Sequence, residues 1–230
     1  MRCLSLALGL AILALPALSQ PAPHTPPIDA PSVREIHPRL VFRAETAPGP
    51  GRTFSDLRRL HPNDPFFKQT FDLALAACEK PAHPAMPAAC FAVTGADRHA
   101  RAAPHPLIDA PIPESGSGGY SNVWSFALAW DWLHNHPALS PALRDRAAAR
   151  IADRLQSELA QLDGTYMALW HGRNQAANGA MVAALALAGL PGQKDNLRRA
   201  AGHYAEALRA LEFSEGWPEE IGRASCRERG

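Results

Sequence analysis

Two segments of this chain are apolar on every face of a helix, and they constrain the fold more than any other feature. Residues 121–134 (SNVWSFALAWDWLH) and 176–190 offer no polar stripe to water, so neighbours must cover each of them on all sides. Each is followed by an amphipathic segment, 140–162 and 195–211. The alternation predicts an all-α fold of inner and outer helices, as in an α/α toroid or an α-solenoid. It disfavours a four-helix bundle, in which every helix is amphipathic.

Shorter helical patterns precede these segments. Residues 64–79 and 88–103 carry apolar side chains at helical spacing on either side of a Pro-rich loop. Ser140 followed by Pro141 is a strong signal for a helix start, with serine as the N-cap and proline in the first turn. The run LVF (40–42) is the longest with a period of two. The sequence therefore predicts a helical domain without a sheet.

The first 19 residues predict an export signal. Arg2 precedes an apolar run over residues 4–15, and Ala17-Leu18-Ser19 offers the small residues that signal peptidase accepts, with cleavage before Gln20. The run is shorter than the roughly 20 apolar residues that span a bilayer. We therefore expect a periplasmic or secreted protein that has no membrane contact after signal cleavage. Residues 20–35 are rich in proline and predict a linker.

Two cysteines remain in the predicted domain. Cys78 and Cys90 flank the Pro-rich loop, and in an oxidising compartment this arrangement favours a disulfide. The alternative is a pair of buried thiols on adjacent helices. The chain has no CxxC motif and no Cys/His zinc spacing, so we expect no metal site. The net charge of +1 lacks the excess of basic residues that is typical of nucleic-acid-binding proteins, so we expect no nucleic-acid partner.

Four stretches, in the same order along the chain, carry a family resemblance. They are IHPRLVF (36–42), FAVTGADRHARAA (91–103), ALAWDWLHNHPALSPALRDR (127–146) and EGWPE (215–219). Together they resemble motifs of the heparinase II/III-like polysaccharide lyases. The resemblance implies an N-terminal (α/α) toroid followed by a C-terminal β-sandwich region. Residues 36–219 are accordingly expected to form an incomplete toroid, with the β-sandwich region absent.

The last eleven residues, EIGRASCRERG (220–230), break the pattern. They resemble the translation of a widely used sequencing-library adapter, which predicts a non-native tail on an N-terminal fragment. The alternative is a genuine basic tail.

The resemblance implies β-elimination on a uronic-acid polysaccharide, with an acidic polysaccharide or oligosaccharide as partner and with no cofactor. This reaction needs a group that neutralises the sugar carboxylate, a base for the C5 proton and an acid for the leaving oxygen. The proton-transferring tyrosine that the family places shortly after WPEG has no counterpart here. We therefore expect the chain by itself to be inactive.

The stretch LWHGRNQAANG (169–179) is the best candidate for chemistry, because it leads from a polar loop into an apolar helix. His171 and Asn174 are three residues apart and share one helix face, and we assign them as catalytic residues. Arg173 adds a bidentate donor for a carboxylate. The alternative is ordinary helix capping by Asn174, with His171 on a surface loop.

Other residues are candidates for substrate binding. Glu219 matches the glutamate of the family motif WPEG, with a turn residue as the alternative. Tryptophans could stack on sugar rings, whereas Trp130 and Trp132 lie within the apolar helix and are expected in the core. Tyr120 is expected either to face the cleft or to pack as a hydrophobic staple at the start of a helix. The remaining candidates for the substrate-binding set are Trp217, Trp170 and Trp124.

Two other functions stay open. A glycoside hydrolase on an α/α toroid needs paired carboxylates across a sugar, and only Asp163, Glu215 and Glu219 are acidic near the expected cleft. A noncatalytic helical module that binds glycan needs no catalytic group at all.

Overall fold

The computed structural model describes residues 31–78, 85–113, 123–164 and 173–213. Within these ranges the chain forms helices and no strand, which confirms the all-α prediction. The helices of the described ranges are α1 (Phe54–Asn63), α2 (Pro65–Cys78), α3 (Met86–Thr94), α4 (Asp97–Ala102), α5 (Pro104–Asp109), α6 (Val123–Leu133), α7 (Pro141–Gly164), α8 (Asn174–Leu187) and α9 (Gln193–Phe213). The predicted signal peptide (1–19), most of the predicted linker (20–35) and the tail (220–230) lie outside the described residues.

The two apolar segments form the most buried helices of the described fold. In α6 eight of the 11 residues are buried, and in α8 nine of the 14 are buried. In α7, by contrast, eight of the 24 residues are buried, and they form one stripe. The predicted difference between covered helices and one-sided helices is therefore present in the structure.

Side-chain contacts give the directions of the last four helices. Trp130 Nε1, near the end of α6, donates to Arg144 O near the start of α7 at 3.0 Å. Gln156 Nε2 of α7 donates to Asn196 Oδ1 of α9 at 2.7 Å, and later residues of the same two helices meet further along. Thus α7 runs against α6 and alongside α9, and α8, which lies between α7 and α9 in the chain, runs against both.

The segment before α1 is fastened to the far ends of α6 and α8. Asp131 of α6 is fully buried and accepts hydrogen bonds from the backbone N–H groups of Arg39 (3.0 Å) and Leu40 (2.9 Å). Its Oδ1 also lies 2.5 Å from Nδ1 of the buried His37. A buried carboxylate needs several donors to offset its lost hydration, and this segment supplies three.

Arg39 extends the same junction to α8. Its Nη2 donates to the carbonyls of Ala186 (2.7 Å) and Ala188 (2.5 Å) at the end of that helix, where carbonyl groups lack partners within the helix. Burial lowers the pKa of this guanidinium, and the charge of Asp131 acts in the opposite direction. Because Arg39 and Leu40 contact both helices, the ends of α6 and α8 lie at one end of the fold, and their starts lie at the other.

The run LVF forms a tight turn and not a strand. Val41 has a φ of 62°, and Phe42 N donates to Leu40 O at 2.6 Å, which closes a three-residue γ-turn. Phe42 then makes an isolated bridge to Arg52. A positive φ is unfavourable for a β-branched residue. The Val41 side chain is 71% exposed, so it packs little against the rest of the fold.

The helical segment predicted over residues 88–103 is divided in two. Gly95 ends α3 with a φ of 69°, the left-handed conformation that glycine adopts without strain. A Cβ at Gly95 would lie 3.0 Å from Cζ of Arg58. That arginine packs there because it donates to the carbonyls of Phe91 (3.3 Å) and Ala92 (3.2 Å) at the end of α3.

The predicted cysteine pair lies at disulfide distance. Cys78, the last residue of α2, and Cys90 of α3 have Cα atoms 6.0 Å apart, within the usual range for a bridge. This junction ties α2 to α3 across the Pro-rich loop. Whether the bridge forms in the cell depends on the predicted export and stays a prediction.

Charged residues of α7 do not all face water as its amphipathic pattern suggested. Arg154 and Glu158 lie on the buried stripe, with Arg154 Nη2 2.6 Å from Glu158 Oε1 and Glu158 fully buried. Their i, i+4 spacing allows the two charges to pair within one helix. The amphipathic pattern of residues 140–162 therefore does not separate buried from exposed side chains at these two positions.

Candidate functional site

A group of polar side chains lies where α7 ends, α8 begins and α9 passes beside both. Because α8 runs against its neighbours, its first residues meet the last turn of α7 and the second half of α9. We call this group the polar cluster. It consists of Asp163, Arg173, Asn174, Arg199, His203 and Glu206.

Arg173, one of the predicted substrate-binding residues, is held by the protein itself. Its Nη2 donates to Glu206 Oε2 at 2.7 Å, and its Nη1 lies 3.4 Å from the carbonyl of Leu162. Both charged side chains are largely buried, with 15% and 20% of their surface exposed. The charge of the guanidinium is therefore compensated by Glu206, and a substrate carboxylate has to compete with that partner.

His203 stands at the centre of the polar cluster and is 2% exposed. Its Nε2 lies 2.7 Å from Asp163 Oδ1, and its Nδ1 lies 3.4 Å from Arg173 Nη2. A guanidinium can only donate, so the contact with Arg173 requires Nδ1 to accept. The proton of the neutral ring is then on Nε2, from which it is donated to Asp163.

Asp163 is kept ionised by its neighbours. Its partial burial acts to raise the pKa of the carboxyl, but hydrogen bonds from Arg199 and His203 outweigh that effect and hold the pKa below its usual value of 3.8. The Arg199 contact, from Nη2 to Asp163 Oδ2, is 2.5 Å long. An ionised Asp163 fixes the ring of His203, as a carboxylate commonly does for a histidine.

Asn174, a predicted catalytic residue, is the first residue of α8 and is 5% exposed. Its Oδ1 accepts no hydrogen bond from any residue that the structure describes. Capping requires this oxygen to accept from a backbone N–H of the first turn, and the N-cap position, Arg173, makes no side-chain cap either. The capping interpretation of Asn174 therefore has no support in the described geometry.

Trp124 lies in the first turn of α6, at the end of the fold where α8 also begins. It is 44% exposed and lines a pocket of about 250 Å³ between α3 and α6. The other lining residues are apolar except Ser125: Ala85, Met86, Ala89, Leu128, Ala129 and Trp132. This pocket suits the apolar face of a ring, but the residues around it supply no cation for a carboxylate. Trp130 is 1% exposed, as expected for the core.

The remaining predicted site residues lie outside the described residues. His171 and Trp170 directly precede the described start of α8, and Tyr120 precedes α6. Glu219 and Trp217 follow the last described residue. The structure therefore joins Arg173 to the other charged residues of the polar cluster, places Asn174 beside it at the start of α8, and leaves these five positions as predictions from the sequence.

Comparison with known proteins adds no relative. No protein-family model, no curated protein and no solved structure matches this chain. The resemblance to the heparinase II/III-like lyases stays a hypothesis that rests on the four ordered motifs.

Sequence reasoning missed His203 and Glu206. On α9, Arg199, His203 and Glu206 follow one another at i, i+4 and i+3 spacing, which places them on one helix face. That spacing was visible, but the partners of these residues lie 30–40 positions away. Only the packing of α9 against α7 and α8 shows that the face is buried and charged.

The described ranges hold no candidate metal site and no candidate membrane span. No group of three or more His, Cys, Asp or Glu side chains in them is arranged to hold a metal ion. Nor does any helix there have the length and hydropathy needed to cross a bilayer.

Proposed function

We propose that this chain is part of an exported polysaccharide lyase that cleaves a uronic-acid polysaccharide by β-elimination. The proposal rests on the four ordered motifs and on the geometry at the start of α8. In the same proposal, α6 and α8 are inner helices of an incomplete (α/α) toroid, and α7 and α9 are outer ones. Their burial and their antiparallel directions support that arrangement.

The observation that carries the proposal is the buried amide of Asn174. An amide group whose oxygen finds no donor costs free energy unless something else binds it. Buried polar groups without a hydrogen-bond partner commonly occur at functional sites. The unpaired Oδ1 can accept from a sugar hydroxyl. The Nδ2 amino group of the same side chain can donate to the sugar carboxylate and so stabilise the charge that develops when the C5 proton leaves.

The roles of the other residues follow from their partners. Asn174 neutralises the sugar carboxylate, together with His171, which the sequence places three residues earlier. Arg173 is a weaker candidate for direct binding, because Glu206 already compensates its charge at 2.7 Å. Trp124, at the same end of the fold, offers an aromatic surface for a neighbouring sugar ring.

The glycoside hydrolase is the second candidate, and the described carboxylates favour it less. Asp163 is bound by Arg199 and His203, and Glu206 is bound by Arg173. The partners of Asp163 hold its pKa below the usual value, whereas a hydrolase needs one protonated carboxyl group as general acid. A noncatalytic glycan-binding module remains compatible with the same surface.

The test is product analysis with the longer protein encoded by the parent gene, beside the present chain. Each is incubated with alginate, polygalacturonate and a heparin-type polymer. A lyase yields unsaturated uronates that absorb in the ultraviolet, whereas a hydrolase yields reducing ends without that absorbance. Binding without either product identifies the module, and neither binding nor product with the parent protein refutes a glycan-directed function.

Asn174→Ala in the parent protein supplies the residue-level test. Loss of one preorganised donor to a developing charge reduces turnover by about 10²–10³-fold in other enzymes, and we expect a loss of that order. Asn196→Ala is the matched control, because Asn196 is also buried but bonds to Gln193 and Gln156. The control is expected to lower stability and to spare turnover. Equal turnover in both variants would contradict the role of Asn174.

A further inference from the structure

His203 is the most buried titratable group of the polar cluster, and the proposed reaction does not use it. It contacts neither the predicted carboxylate site at Asn174 nor any sugar-stacking residue among the described ones. It does contact Arg173, the one described cation beside that site. The question is therefore what His203 does to Arg173.

Glu206 has the Arg173 guanidinium and the His203 ring within reach. Its Oε2 lies 2.7 Å from Arg173 Nη2 and 3.7 Å from His203 Nδ1. In the neutral ring, Nδ1 accepts from Arg173, so Glu206 and His203 both hold the guanidinium. When the ring takes up its second proton, that proton lies on Nδ1, which then becomes a donor. Nδ1 can no longer accept from Arg173 and is attracted to Glu206 instead.

The charges that face His203 come from three helices. Asp163 of α7 is negative, Arg173 lies at the start of α8, and Arg199 and Glu206 are on α9 itself. These two cations and two anions balance. One added proton therefore gives the polar cluster a net positive charge.

We propose that His203 is a positioning residue that controls whether Arg173 is available to bind an acidic sugar. While the imidazole is neutral, Arg173 is held by His203 and Glu206. When Nδ1 takes a proton from solvent, Glu206 turns to His203 and Arg173 is released toward the ligand carboxylate. The inference rests on the proposed function, because it takes a uronate as the ligand.

The inference gives a direction to the pH dependence of binding. A uronate carboxylate stays ionised from pH 8 down to about pH 5, so the charge of the ligand does not change while a proton is offered to His203. Affinity for the uronate therefore rises as the pH falls. Coupling between neighbouring sites commonly changes affinity about 5–150-fold, and we expect the lower part of that range.

The experiment measures binding of saturated trisaccharides from alginate and from polygalacturonate to the full chain by calorimetry. Measurements at pH 8 and pH 5.5 share one ionic strength. We expect about fivefold or more tighter binding at pH 5.5 for the unmodified chain. His203→Gln, which stays neutral, is expected to bind weakly at both values. Glu206→Gln, which removes the competing carboxylate, is expected to bind tightly at both.

His105→Gln is the matched control. This histidine is 87% exposed and lies 3.4 Å from Asp109 on α5, away from the polar cluster. The control is expected to keep the pH dependence of the unmodified chain. A pH dependence that survives in His203→Gln would overturn the proposal, and so would weak binding by Glu206→Gln.

A second measurement does not depend on any sugar. In the chain with ¹⁵N-labelled arginine, the Arg173 side-chain signal is followed from pH 8 to pH 5.5. Release of the guanidinium is expected to shift this signal and to speed its hydrogen exchange, and His203→Gln is expected to abolish both changes. An Arg173 signal that does not respond overturns the inference even if sugars bind. A responding signal without sugar binding supports the coupling and refutes the glycan-directed function.

Discussion

Replacement of Asp131 by alanine is expected to destabilise the described fold strongly. The side chain is fully buried and accepts from two backbone N–H groups, of Arg39 and Leu40, at 3.0 and 2.9 Å. It also pairs with the ring of His37 at 2.5 Å. Alanine removes all three contacts and leaves three buried donors without their acceptor.

The magnitude follows from these partners. A hydrogen bond to a charged group contributes about 1.5–3 kcal/mol, and a buried donor left without its acceptor costs about 1–3 kcal/mol. The contacts share one site and do not add independently, so we expect a loss of about 3–5 kcal/mol in the free energy of unfolding. For a chain of this size that loss lowers Tm by about 6–20 °C.

The assay is urea unfolding of the full chain with its cysteine pair intact, followed by far-ultraviolet circular dichroism. Asp153→Ala is the matched control, since Asp153 is an exposed aspartate on α7, and its effect is expected within about 0.5 kcal/mol. Asp131→Asn keeps the size of the side chain but places an amide NH2 group among the same N–H donors. Most of the loss in the free energy of unfolding is therefore expected to remain. A loss below about 1 kcal/mol for Asp131→Ala would refute the view that this carboxylate fastens the N-terminal segment.

Three further predictions concern separate parts of the fold. Val41→Gly is expected to raise the free energy of unfolding by about 1 kcal/mol, because glycine adopts the positive φ without strain and the valine side chain is exposed; a lower Tm in calorimetry would contradict this. Reduction of the Cys78–Cys90 pair is expected to cost about 2–3 kcal/mol, and two free thiols in unreduced, exported protein would rule the bridge out by intact mass. The lowered pKa of Asp163 means that its ionised form stabilises the fold above the usual value of 3.8 and that this contribution is lost as the pH falls through the lowered value. Asp163→Asn should therefore flatten the loss of stability in acid, and an unchanged pH profile of Tm would exclude this contribution.

The later helices could be predicted from the sequence because several local signals agree there. The predicted segment 140–162 is observed as α7, Pro141–Gly164, and Ser140 Oγ lies 3.4 Å from the N–H of Leu143, as its cap role requires. The extensive burial of α6 and α8 follows from apolar residues on every face. In α7 the hydrophobic period, the Ser140 cap and Gly164 at the helix end point to one answer.

Earlier elements were harder to predict because their signals are weak or lie elsewhere in the chain. Helix α1 is mostly polar, and its clearest sign was the capping box in which Thr53 and Asp56 bond each other's backbone N–H groups. The break at Gly95 is a left-handed helix end, and the Arg58 side chain that packs beside it comes from another helix. In the same way, the polar cluster joins residues from three helices, and local patterns carry no information about such pairings.

The contacts of the N-terminal segment with α6 and α8 also constrain the order in which parts of this chain can fold during synthesis. Arg39 binds carbonyls 147 and 149 positions later in the chain, and Asp131 lies 91 positions after Leu40. A ribosome adding roughly 5–20 residues per second completes the segment well before either partner exists. The antiparallel helices can pair with their chain neighbours as they emerge, since those contacts are local and fast. The earliest part of the described domain to be synthesised thus cannot dock until α8 is complete, when only α9 of the described helices is still to be made.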